Sequence, residues 1–166
     1  MTIDDVDAQL VERAKGGDPK AFEMLVVKYQ RRIERLIGRT FRIHPMVQTA
    51  TVRVEDASFP ATFGLPARWI WTDEWYAFNA PVTRGLRTVL SVDETTYDPT
   101  RIWPRQTAKG MGAHHPVAWY HRYEGGRVFV TALGHTPALY DDPLYLEHLY
   151  GGIWWAATGK GIDAAR

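Results

Sequence analysis

The sequence predicts an α/β chain in which a helical segment, residues 1–40, precedes a strand-rich part, residues 41–166, that closes with one more helix. Three observations predict it. Apolar residues recur at three-and-four spacing between Phe22 and Ile37, the mark of a helix with one buried stripe. Short runs such as Thr51-Val52-Arg53-Val54 alternate in the manner of a half-buried strand. Near Thr40 and Phe41 the rhythm changes at a seam, from basic amphipathic helix to aromatic, strand-rich sequence.

Taken in order, residues 7–38 read as a helical hairpin. Asp7 offers a cap for the first helix, Gly16-Gly17 ends it, and Asp18-Pro19 supplies an N-cap followed by proline at the first helical position. Phe22, Leu25, Val26, Tyr29, Ile33, Leu36 and Ile37 then form the stripe, and Gly38 offers a stop. Lys28, Arg31, Arg32, Arg35 and Arg39 occupy the other face, where a solvated surface and an anionic partner both fit the pattern. Beyond the seam, 51–54 and 86–92 read as strands. Tyr123-Glu124-Gly125-Gly126 turns the chain between 117–120 and 127–133 as an antiparallel hairpin. Asp142-Pro143 opens a helix running through Leu146, Leu149, Ile153 and Trp154 to a stop near Gly159. Residues 69–78 and 97–115, rich in Pro, Asp, Trp and Tyr, read as loops, the kind of segment that builds sites.

Composition bounds the function. With 166 residues, 45% of them hydrophobic, the chain has room for one compact domain and a small appendage. The formal net charge of +1 conceals no basic lobe, since residues 1–40 hold eight Lys/Arg against seven Asp/Glu and the remainder twelve against twelve. Specific DNA binding is therefore not expected. The chain has no cysteine, which excludes disulfides, a thiolate nucleophile and zinc-thiolate sites. Its acidic start, with no apolar run behind it, reads as a cytoplasmic protein without a membrane partner. No cofactor motif is visible: Gly125-Gly126 and Gly151-Gly152 suit a hairpin turn and close helix packing better than phosphate binding. The histidines His115, His121, His135 and His148 and the pair Asp141-Asp142 lack recognised ligand spacing, so no metal is expected.

Two resemblances divide the chain. The string Ala14-Lys15-Gly16-Gly17-Asp18-Pro19-Lys20-Ala21-Phe22, within residues 9–30, resembles the start of region two of extracytoplasmic-function sigma factors. It stops at about Thr40, before the helices that this family uses on RNA polymerase and melted promoter, so it implies at most a weak polymerase contact. Residues 41–166 resemble the C-terminal part of the ThuA-like, or trehalose-utilisation, family. The match rests on His44-Pro45, Thr51 to Asp56, Phe59-Pro60-Ala61-Thr62, Thr72-Asp73-Glu74-Trp75-Tyr76-Ala77-Phe78, His115 to Trp119, Gly126 to Thr136 and Gly152 to Ala156. This second resemblance implies a class I glutamine amidotransferase-like (flavodoxin-like) fold, a parallel sheet flanked by helices, and a role in sugar or glycoside metabolism. It also implies that the family's first strands, one wall of the ligand crevice, would lie where the sigma-like hairpin stands.

Within this frame His135 and His115 are the candidate catalytic residues. His135 follows a strand directly after Gly134, where a catalytic histidine sits in the amidotransferase-like fold, and an imidazole there can shuttle protons near neutrality; a structural histidine bonded to the loop fits the same position. Asp73, Glu74, Trp75 and Tyr76 set two carboxylates beside two aromatics, the residue types that bind sugar hydroxyls and stack on sugar rings. The same four suit a loop anchored by Trp75 and capped by its carboxylates. All six are expected to converge on one rim of the sheet. The leading function is a ThuA-like protein of sugar or glycoside metabolism, incomplete as an enzyme, with a small sugar as partner; the absence of cysteine argues against amidotransferase chemistry. A sigma-related regulatory module and a gene fusion without selected function are the alternatives. The apolar stripe of residues 22–36 is expected either to cover an exposed sheet edge at 86–92 or to pair two chains as a homo-oligomer.

Overall fold

The computed structural model describes residues 3–161, beginning with helices α1 (Ile3–Lys15) and α2 (Pro19–Ile37). Asp18 caps α2, accepting the N–H groups of Lys20 and Ala21 at 3.0 and 3.3 Å, and Gly38 ends the helix at φ 87°. Asp7, expected as the first cap, lies inside α1, which has already begun at Ile3; its carboxylate reaches across to Lys28 and Tyr29 on α2. Leu10 and Ala21 are buried, but Phe22, Val26, Ile33 and Leu36 stay exposed, so the stripe does not cover the sheet. Instead the C-terminal end of α2 is bonded to the sheet at Trp119 and to the loop that precedes residues 87–92. The Trp119 indole donates to the carbonyl of Ile37 at 2.8 Å, Thr83 Oγ1 to that of Arg35 at 2.7 Å, and Val82 N to that of Gly38 at 2.9 Å. Carbonyls that a helix end leaves unpaired thus become the docking points.

The strands are β1 (Phe41–Ile43), β2 (Gln48–Val54), β3 (Arg68–Asp73), β4 (Ala77–Phe78), β5 (Arg87–Val92), β6 (Pro116–Tyr123) and β7 (Gly126–Thr131). β1 and β4 form a two-stranded ribbon, and the main sheet runs β3-β2-β5-β6-β7. Every pairing in it is antiparallel, which overturns the expectation of a parallel, flavodoxin-like sheet. The cause is connectivity. Parallel neighbours require long crossovers, usually helical, whereas β6 and β7 are joined by the tight turn of Glu124 and Gly125, both at positive φ, and the one long helix beyond β1 follows the last strand.

Two further expectations change. Residues 69–78 are not a loop: β3 alternates, with Trp69, Trp71 and Asp73 buried and Arg68, Ile70 and Thr72 exposed, and pairs with β2 from Gln48↔Asp73 to Arg53↔Arg68. Nor is β5 an edge, because it lies between β2 and β6 and its Val89, Leu90 and Val92 are core residues. The edges are β3 and β7.

Helix α3 (Pro143–Thr158), capped by Asp142 and ended by Gly159 at φ 72°, packs on the sheet face that carries Trp71 and Phe129. Tyr120 stacks on Phe59 at 4.3 Å between ring centroids and meets Trp155 edge-on at 4.8 Å. Contact here is close enough to need glycine. A Cβ on Gly151 would lie 2.1 Å from the carbonyl oxygen of Pro60, and one on Gly152 2.1 Å from the Phe129 ring.

Candidate functional site

The site is organised by a carboxylate that no ligand can reach. Asp73 ends β3 with 1% of its surface exposed, and four N–H groups converge on it. Oδ2 accepts Gly134 N at 2.7 Å and the Trp71 indole at 3.1 Å; Oδ1 accepts Glu74 N at 2.9 Å and His135 N at 3.2 Å. The end of β3 is thereby tied to the turn after β7. Gly134 permits that turn at φ 95°, where a Cβ would fall 1.9 Å from the Tyr145 hydroxyl, itself donating to the Leu133 carbonyl at 2.9 Å.

This tie brings His135 beside Glu74. Glu74 Oε2 lies 3.2 Å from His135 Nδ1 and 3.3 Å from His44 Nδ1, so one nearly buried carboxylate oxygen faces two imidazoles. His44 Nδ1 also lies 3.0 Å from the Pro45 carbonyl oxygen, and the Tyr76 hydroxyl 3.4 Å from His135 Nδ1. Aromatic rings flank the cluster: Tyr76 packs 5.2 Å from His44 and 5.1 Å from Phe41, and Trp103, carried by the loop between β5 and β6, meets His44 edge-on at 5.1 Å. The His135 side chain is 44% exposed. Burial, followed by the neighbouring charges of Glu74 and Asp73, raises the Tyr76 phenol above its ordinary range, so Tyr76 keeps its proton and remains a donor.

His115 sits behind this arrangement with none of its surface exposed. Its Nε2 is 2.9 Å from the Tyr76 carbonyl oxygen and its Nδ1 2.7 Å from Glu94 Oε1, with the Tyr97 hydroxyl at 3.2 Å. Glu94 also accepts Met111 N and Gly112 N, at 2.5 and 2.7 Å. Burial, then the charge of Glu94, pushes the Tyr97 phenol up. Trp75 is likewise fully buried, its indole donating to the Gln48 carbonyl at 3.0 Å.

The six residues singled out in the sequence therefore do gather, but in two layers. His135, Glu74 and Tyr76 face the site, while Asp73, Trp75 and His115 hold it from within. His115, expected as a catalytic group, and Trp75 and Asp73, expected as substrate contacts, are buried and present no surface. Sequence reasoning missed His44, Phe41 and Trp103. His44 lies in the His44-Pro45 motif and Trp103 in the aromatic loop 97–115, both usable signals, whereas Phe41 had none. Among the described residues, no group of three or more His, Asp or Glu is arranged to hold a metal ion, and no helix is long and apolar enough to cross a membrane.

Comparison with known proteins agrees with this geometry at the level of family and fold. The family model described as ThuA, trehalose utilisation, matches residues 21–156, a span that starts inside α2 and runs through the seam at residues 40 and 41. That match supports the ThuA-like resemblance and lends no support to the sigma-factor one. The chain is similar in structure to a ThuA-like protein of Bacteroides uniformis at TM-score 0.58 and 19% identity, covering 75% of this chain and 49% of that one. It is also similar to a ThuA-like protein of Parabacteroides merdae at TM-score 0.52 and 25% identity, covering 74% and 43%. The chain thus spans just under half the length of each of these solved relatives. No curated protein matches it.

Proposed function

The chain belongs to the ThuA, or trehalose utilisation, family, and from that premise we propose that the His44–Glu74–His135 cluster binds a sugar or glycoside and exchanges a proton with one of its hydroxyls. The observation that carries this reading is the single oxygen, Glu74 Oε2, shared by two histidines on an aromatic-walled surface. If His135 donates Nδ1–H to Glu74, its lone pair is on Nε2, and the exposed ring presents that atom as a general base or, once protonated, a general acid. Glu74 sets the tautomer and steadies the positive charge that forms. Tyr76 donates its hydroxyl, and the Tyr76 and Trp103 rings supply apolar faces for sugar C–H groups. Asp73 and His115 act as positioning residues, the first through the backbone of His135 and the second through the carbonyl of Tyr76.

The test is calorimetric titration with trehalose and with simpler mono- and disaccharides. Saturable binding by the parent and its loss in both His135→Gln and Glu74→Gln, with thermal melts nearly unchanged, is the expected result. No binding by any saccharide, or equal binding by the variants, would refute the reading.

A further inference from the structure

We propose that the recess framed by Arg84, Arg87 and Arg122 binds a small phosphate-bearing molecule whose ring rests on Tyr120 and Trp155. The recess has a volume of about 290 Å³ and lies where the start of β5 meets the end of β6. Its guanidinium groups lack a counter-charge: among the described residues no carboxylate lies within ion-pair distance of Arg84, Arg87 or Arg122. Glu124, on the adjoining turn, is already paired with Arg32 at 2.7 Å.

A second observation is independent of the recess. In the β6–β7 register Arg122 stands directly opposite Arg127, and like charges in that position repel. Arg127 is committed elsewhere, donating to the carbonyls of Trp155, Ala156 and Ala157 at 3.1, 2.9 and 2.8 Å and so closing the end of α3. Arg122 is left with a like-charged neighbour and no acid. An oxyanion relieves this, and phosphate suits it best because its oxygens match the planar fork of each guanidinium.

The remaining walls select the rest of the ligand. Tyr120 and Trp155, edge-to-face at 4.8 Å, provide an aromatic floor. The volume lies at the small end of ligand sites and suits one ring with one phosphate. The recess is also distinct from the histidine cluster. β7 begins at Gly126, beside it, and its six residues span roughly 20 Å before the chain reaches His135.

The experiment is titration of the whole chain with inorganic phosphate and with phenyl phosphate at constant ionic strength, with phenol and chloride as controls, followed by calorimetry and by the Trp155 indole resonance. Saturable binding of phenyl phosphate, tighter than phosphate and absent for phenol, is expected, weakened about tenfold in each of Arg87→Gln and Arg122→Gln and unchanged in Glu74→Gln. Because Arg87 and Arg122 are exposed, neither change should disturb the fold. Failure of both phosphates to saturate, undiminished affinity in the arginine variants, or loss in Glu74→Gln instead would overturn the proposal.

Discussion

Lowering the pH should destabilise this protein through His148, a residue remote from any proposed chemistry. His148 is fully buried in α3, with Nδ1 2.8 Å from the Ala61 carbonyl oxygen and Nε2 3.1 Å from Thr131 Oγ1. One proton satisfies both contacts: Nδ1–H donates to Ala61, and Nε2 accepts from the threonine hydroxyl. A second proton would put a charge into the core, and burial accordingly lowers the imidazole from 6.5 to about 4. Between these values the unfolded chain binds a proton that the folded chain does not. The stabilisation is therefore fully present above the unfolded value and is lost as pH falls through the window. At about 1.4 kcal/mol per pH unit the complete loss is about 3 kcal/mol, of which about 2 kcal/mol is gone by around pH 5. Urea melts at around pH 8 and around pH 5 measure it. His121, buried beneath α2 and also lowered by desolvation, adds to the same trend, so His148→Gln is the control. Its amide can donate to Ala61 and accept from Thr131 but does not titrate. The variant should lose about 2 kcal/mol less than the parent over that pH interval. Equal losses in the two proteins would show that His148 does not carry the effect.

Asp73→Asn turns an acceptor of N–H groups into a donor facing them, and should cost about 2–4 kcal/mol while displacing the turn of Gly134 and His135. Thermal melts and the His135 ring resonances report both effects, and an unchanged melt would mean that Asp73 does not organise the turn. Gly151→Ala should destabilise although alanine is the better helix former by about 1 kcal/mol. Its Cβ would meet backbone atoms of Pro60 at 2.1 and 2.4 Å, which cannot swing aside as a side chain does. A net loss of about 2 kcal/mol is expected by denaturant melts, and a gain would show that α3 shifts freely over Pro60.

What could be read without the structure was local. Asp18, Gly38, Asp142 and Gly159 bound their helices as their residue types require, because a cap is decided by hydrogen bonds within one turn of chain. The Glu124-Gly125 turn and its flanking strands were legible for the same reason. The helix stripe was legible as a pattern but not in its destination: a three-and-four repeat shows that a face is apolar, not what lies against it, and Phe22 and Ile33 remain exposed. Asp7 was misplaced because its partners, Lys28 and Tyr29, are on the next helix.

The site shows the same division. Glu74, Tyr76 and His135 were recognisable from residue type and neighbourhood. Which of the six candidates face outward depended on burial, and burial depends on strand pairing far along the chain. Residue 73 meets residue 134 because the turn after β7 carries Gly134 and His135 to the end of β3; the Trp71 indole and Glu74 N–H are local to β3, but the other two N–H groups that make Asp73 a structural anchor exist only once that turn arrives. Strand direction could have been argued from the sequence, since one helix after residue 41 leaves no helical crossovers for a parallel sheet. Strand order could not, because side chains alternating across a strand fix its buried face and leave its neighbours to the packing of the whole domain.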